Sequence, residues 1–172
     1  MSDKVKEPPY DARTIANFFI ETSYKEGHKD LTPMKLIKLI YIAHGFYLAI
    51  HKKPLIMQKV EAWQYGPVIR DVYDEVKHYG KHPIKNYTIF DVFFEKGEIP
   101  ELHDFSPEHI NKDVKNFLLS VWETYKPYTG LQLSAWSHQS GSPWSSAISV
   151  GVNEALDSHE MINYFKSQLK DE

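Results

Sequence analysis

The sequence predicts a mainly α-helical fold of the α+β kind, a single compact helical domain carrying a small β-hairpin or short sheet. Three observations predict it. Apolar residues recur at three- and four-residue intervals near 12–26, 32–50, 67–79, 107–125 and 158–169, which lays them along one face of a helix. Helix-opening residues stand where those runs begin, with proline next to the cap in Thr32-Pro33, Ser106-Pro107 and Ser142-Pro143, the arrangement favoured at helix N-termini. Strand-like alternation is confined to residues 57–63 and 87–103.

The elements follow in order. Residues 1–9 are expected to be a flexible tail ending in Pro8-Pro9, and residues 10–170 the domain. Asp11 caps a helix running to about Glu26, with Ala12, Ile15, Ala16, Phe19 and Ile20 inward and Gly27 ending it. Thr32 and Pro33 open a second helix. One stripe holds Leu36, Leu39, Ile40, Ala43, Tyr47 and Ile50, and another holds Ile37, Tyr41 and Leu48. A helix apolar on more than one side belongs at the centre of a domain. Pro54 closes it.

Residues 57–63 alternate weakly and are expected to form a short strand. Tyr65-Gly66-Pro67 reads as a turn, with Pro67 starting a helix that turns Val68, Ile69, Val72, Tyr73, Val76 and Tyr79 inward and is capped by Gly80. Residues 87–94 and 98–103 are expected to pair as a hairpin about Lys96-Gly97. Ser106-Pro107 opens a helix with Ile110, Val114, Phe117, Leu118, Val121 and Tyr125 inward. Thr129 and Gln132 have capping-box spacing. Ser142-Pro143 caps a further turn, and Ser158 caps a last helix with Ile162, Phe165 and Leu169 inward. No repeat, linker or low-complexity stretch divides the chain.

Composition narrows the function classes. The 172 residues suffice for one domain with a real core, and 42% hydrophobic with 25% charged residues argue against disorder. With no cysteine, disulfide frameworks, thiolate nucleophiles and cysteine zinc sites are excluded. The first ten residues, MSDKVKEPPY, lack the apolar core of a secretory signal. The most apolar stretch, Leu39 to Ile50, is too short to span a bilayer. A cytoplasmic location without membrane contact is the expectation.

The net charge of −3 is unevenly spread. Residues 31–85 hold nine Lys or Arg against four acids, and residues 86–172 hold six against thirteen. Such halves either compensate one another across the fold or polarise a surface that steers a charged partner.

Two stretches are more distinctive than any periodicity. One is LTPMKLIKLIYIAHGFYLAIHKKPLI followed by VEAWQYGPVIRDVYDEVKHYG, and the other is LSAWSHQSGSPWSSA. They contain Lys35, Leu36, Lys38, Leu39, Tyr41, Ala43, Gly45 and Leu48, then Glu61, Ala62, Trp63, Gly66, Pro67, Val68 and Tyr73, then Leu133, Ser134, His138, Pro143 and Trp144. This pattern resembles the Panacea-domain (SocA-like or GepA-like) antitoxins. Members of that family carry a KLxKLxYxAxGxxL helix, an EAWxxGPVxxxxY segment and an LSxxTHxxxxPW segment. Ser137 stands where the family has threonine, and keeps the hydroxyl.

The resemblance implies an antitoxin, often carried on prophage or mobile DNA, whose partner is a cognate toxin protein encoded by the adjacent gene. It implies neutralisation by direct protein binding, with no enzymatic activity and no cofactor. Delivery of the toxin to an ATP-dependent protease, or regulation through nucleic acid, are the alternatives. The oligomeric state is left open, as homo-oligomer or hetero-complex.

The motif residues Lys35, Lys38, Tyr41, Gly45, Trp63, Tyr65, Gly66, Pro67, Tyr73, Ser137, His138, Pro143 and Trp144 read as mainly structural, with partner contact as their second role. Gly66-Pro67 reads as a tight turn and Trp63 as core. His138 reads as the anchor of a buried turn, its Nδ1 hydrogen-bonded to backbone; neither a nucleophile nor an acidic partner is identifiable beside it. His44 and His51 are two turns apart on one helix, and Gly80 and Pro83 break the alignment of His78 with His82, so no metal site is expected. The lysines near the second helix are interleaved with acids in a chain of pI about 6.3, which argues against nucleic acid as the partner.

Overall fold

A computed structural model describes residues 5–85 and 105–169. Seven α-helices lie among these residues, with the second at the centre: α1 Ala12–Lys25, α2 Pro33–His51, α3 Arg70–Val76, α4 Lys112–Tyr125, α5 Gly130–Ser137, α6 Pro143–Val150 and α7 Ser158–Leu169. Strands β1 Glu61–Trp63 and β2 Gly66–Val68 form an antiparallel pair between α2 and α3. The expected mainly helical domain with a short sheet is the observed architecture.

Helix α2 is central for the reason its sequence gives. Leu36, Leu39, Ile40, Tyr41, Ile42 and Ala43 are fully enclosed, so no side of its middle faces water. It packs most extensively on α7 and α5, then on α1 and α4. By length and composition this helix could cross a membrane, which the twelve-residue apolar stretch alone did not suggest; most of its surface is buried inside the domain. Thr32 caps it by accepting from the Lys35 amide, with Pro33 at the first turn. It ends at His51 on Lys52, which takes a left-handed φ of 58°, three residues before Pro54. Ile50, expected on the inner stripe, is exposed at that last turn.

The loop into the sheet departs from expectation. Only Glu61–Trp63 of the 57–63 stretch is strand. Pro67 does not start a helix; it lies in β2, opposite Ala62, and α3 begins at Arg70. The hydrogen-bonding pattern shows why a proline is accepted there. Ala62 spends its amide on the Glu154 carbonyl (2.7 Å) and its carbonyl on the Asn153 amide (2.8 Å), both on its other side. The missing Pro67 N–H therefore costs no bond in the ladder. Residues 153–156 thus border β1, with Leu156 N–H donating to the Val60 carbonyl at 2.8 Å.

Other boundaries shift by a turn or a residue. Ser106-Pro107 opens only the 3₁₀ turn Pro107–His109, and Asn111 caps α4 by accepting from the Val114 amide. Asp157, not Ser158, caps α7: its carboxylate accepts from the Glu160 amide at 3.0 Å. On α7 the buried residues are Met161 and Phe165, with Ile162 half-buried and Leu169 exposed. Tyr73, Tyr79, Phe117 and Tyr125 pack on the core while half-buried. Asp11, the Thr129–Gln132 capping box and Ser142 cap as expected. Residues 5–9, expected as part of a tail, are joined to the domain: the Lys6 amide donates to the His109 carbonyl at 2.7 Å. The hairpin expected at 87–94 and 98–103 lies outside the described residues.

Candidate functional site

The motif residues gather round the β1–β2 turn. Three alternate carbonyls along it each receive a donor from a different part of the chain. Trp144 Nε1, on α6, donates to the Trp63 carbonyl at 2.6 Å. Ser134 Oγ, on α5, donates to the Tyr65 carbonyl at 2.7 Å. Lys38 Nζ, on α2, donates to the Pro67 carbonyl at 2.8 Å. The separated motifs meet because one turn collects a hydrogen bond from each, and a buried carbonyl left unpaired would be costly.

Gly66 allows this closeness. Its φ is +112°, a region side chains avoid, and a Cβ built on it would stand 2.9 Å from Ser137 Oγ and 3.1 Å from Lys38 Nζ. Ser137 is buried, and its hydroxyl donates to the Ser134 carbonyl at 2.8 Å. Trp63 is half-buried between the Tyr73 ring, edge-on at 4.9 Å, and the Arg70 guanidinium, 5.0 Å from its ring centre. Arg70 also makes a two-pronged ion pair with buried Glu61, at 3.2 and 3.0 Å. Tyr65 points outward, 66% exposed, and only its backbone joins the cluster. Pro143 opens α6 and thereby aims Trp144.

Lys38 is the unusual member. It is 2% exposed, and burial without an acidic partner lowers its pKa from 10.5 to about 7. His138 departs from expectation. Its ring lies 5.3 Å from that of Trp144, but its buried Nδ1 has no hydrogen-bond partner among the described residues, so it packs on the indole instead of tying a turn to backbone.

Lys35, Tyr41 and Gly45 are motif residues that lie apart from the turn and serve the opposite contacts of α2. Lys35, wholly buried, donates to Asp30 at 2.9 Å and to the Lys126 carbonyl at 2.6 Å. Tyr41 packs edge-on against Phe165 at 5.3 Å. A methyl group at Gly45 would overlap the same Phe165 ring, so glycine is what lets α7 lie on α2. His44 is also buried; its Nδ1 accepts from the Leu55 amide at 3.3 Å, and burial lowers its pKa from 6.5 to about 4. Among the described residues no group of three or more His, Asp or Glu is placed to hold a metal ion.

Lys38, Ser134, Ser137 and Trp144 thus direct their donors to carbonyls inside the domain, whereas the buried Tyr41 hydroxyl and His138 Nδ1 have no hydrogen-bond partner among the described residues. Chain comparisons name the family that carries the motif. The profile described as "Antitoxin SocA-like, Panacea domain" matches residues 36–145. The chain belongs to the SocA-like, Panacea-domain antitoxin family. Antitoxin SocA of Caulobacter vibrioides (strain NA1000 / CB15N) is 32% identical over 136 residues, covering 78% of this chain and 68% of that protein. No solved structure matches. The Panacea match starts at Leu36 and ends at Ser145, so it contains the Lys38, β1–β2, Ser134 and Trp144 bonds together.

Sequence reasoning missed two contacts, one at the turn and one in the core. The Glu61–Arg70 pair joins residues nine apart across a turn whose geometry no periodicity reveals. Trp122, fully buried and donating to the Glu26 carboxylate, falls at the edge of the α4 stripe and was not placed inside.

Proposed function

We propose that this antitoxin neutralises a cognate toxin, encoded by the adjacent gene, through direct and stoichiometric binding in the cytoplasm, without catalysis. The observation that supports this most is how the motif is used. Lys38, Ser134 and Trp144 direct their donors to internal carbonyls, and Lys38 and Ser137, the nearest approach to a base and a nucleophile, are both shielded from solvent. Recognition then falls to side chains that those internal bonds leave at the surface, and large apolar ones stand exposed: Tyr65 within the motif, and Tyr128 and Leu131 outside it. Aromatic and aliphatic anchors of this kind dominate protein interfaces.

The test is co-expression of the adjacent gene with and without this chain, followed by capture on a tag. Growth rescue with a complex of fixed stoichiometry is the expected result. Rescue accompanied by loss of the toxin, and abolished in a strain lacking its ATP-dependent proteases, would assign delivery instead of sequestration.

A further inference from the structure

A groove of about 580 Å³ opens where the first turns of α2 and α5 meet, and it stands apart from the β1–β2 turn. Its apolar surface comes from Met34, Pro83 and Leu131. Leu131 is 74% exposed, although it sits in the first turn of a helix whose neighbour Leu133 is buried. Gly130 creates the junction. A Cβ there would stand 2.9 Å from the Lys35 backbone nitrogen and 3.2 Å from Met34 Cβ, so only glycine lets α5 start against α2.

Among the described residues, the charges at the rim have one sign left over. Lys29 and Lys81 line the groove, are exposed, and form no ion pair among the described residues. Asp30 lines it too, but its carboxylate is engaged by Lys35 at 2.9 Å and faces His28 at 3.5 Å. Two helices also begin here, at Pro33 and Gly130, and helix N-termini carry partial positive charge. An apolar floor under a rim whose Lys29 and Lys81 are unpaired among the described residues complements an apolar side chain flanked by carboxylates.

We propose that this groove docks the toxin through an acidic segment bearing a leucine-like or aromatic anchor, with Leu131 and Met34 as its seat and Lys29 and Lys81 as its rim. This rests on the reading that the chain binds its toxin directly, and it names the place and the chemistry of the contact. A buried apolar anchor sets the lifetime of such a complex, and rim charges set its association rate.

The test uses the full chain and the purified product of the adjacent gene, with binding followed by biolayer interferometry at low and high salt. Leu131→Asp should weaken the complex about tenfold or more, mainly through faster dissociation. Lys29→Glu combined with Lys81→Glu should slow association and flatten its dependence on salt. Val152→Asp, at an exposed site 69% open to solvent, should bind like the parent. All four altered side chains, three in the groove and one in the control, are at the surface, and circular dichroism confirms folding of each variant.

Parent-like binding by both groove variants would overturn the groove while leaving direct neutralisation standing. An absence of binding by the parent chain would remove both. Self-association of the parent chain that Leu131→Asp abolishes, with toxin binding intact, would assign the groove to a second copy and overturn the proposal.

Discussion

Gly66 shows how much a single position can decide. Its positive φ and the 2.9 Å approach of Ser137 Oγ leave no room for a side chain. Gly66→Ala should therefore destabilise the fold by about 2–4 kcal/mol, combining backbone strain with displacement of the Lys38 and Ser137 side chains from their bonds. Urea unfolding followed by tryptophan fluorescence measures this, and a loss below about 0.5 kcal/mol would deny the turn its central role. The turn itself was legible from Gly66-Pro67, but not its partners. That Lys38, Ser134 and Trp144 would converge on its carbonyls depends on how α2, α5 and α6 pack, which is a tertiary fact.

Lys38 and His44 make stability depend on pH in a definite sense. Both have folded pKa values below their unfolded ones, so the unfolded chain binds more protons and stability rises with pH between the two. For His44 that window runs from about 4 to 6.5, and for Lys38 from about 7 to 10.5. The contribution is complete above the unfolded pKa and is lost as pH falls through the folded one. Burial raises the pKa of Tyr41, which acts in the opposite direction once pH passes 10.0. The denaturation midpoint should thus climb from pH 7 to 9.5, and Lys38→Met should flatten that climb. A midpoint that falls over this range in the parent chain would contradict the burial of a neutralisable lysine.

At the scale of elements, helix ends were legible where local chemistry sets them. Asp11, Thr32, Thr129 and Ser142 each accept from an amide two or three residues on, a contact encoded within four residues of sequence. The same rule misassigned α7 by one residue because Asp157 and Ser158 are both good caps, and only the geometry shows the Asp157 carboxylate on the Glu160 amide. Asp157→Ala should cost about 1 kcal/mol and Ser158→Ala much less; equal losses in thermal unfolding would overturn the assignment. Pro67 misled for a related reason. A proline after Gly reads locally as a helix start, whereas its place in β2 depends on Ala62 bonding to residues 153 and 154 from a distant stretch of chain.

For the whole molecule, the motif's internal hydrogen bonds and the docking groove proposed above lie in different parts of one chain. The motif joins α2, the β1–β2 turn, α5 and α6 into a frame through the donors of Lys38, Ser134 and Trp144. Exposed Leu131 and Tyr65 stand on that frame without contributing to its hydrogen bonds through their side chains. A shared frame with separate surface positions lets one fold serve different partners, since specificity is a difference between surfaces. It also explains why the sequence conveyed the family but not the docking groove. The groove exists only because Gly130 brings the first turn of α5 onto that of α2, two segments nearly a hundred residues apart.

Direct neutralisation is tested most directly by titration. The purified product of the adjacent gene is held at fixed concentration, well above the dissociation constant, and its growth-arresting biochemical activity is followed as this chain is added. The account predicts a linear fall to zero at a fixed molar ratio, unaffected by incubation time. Complete neutralisation by a small fraction of that ratio, growing with time, would show turnover and contradict it.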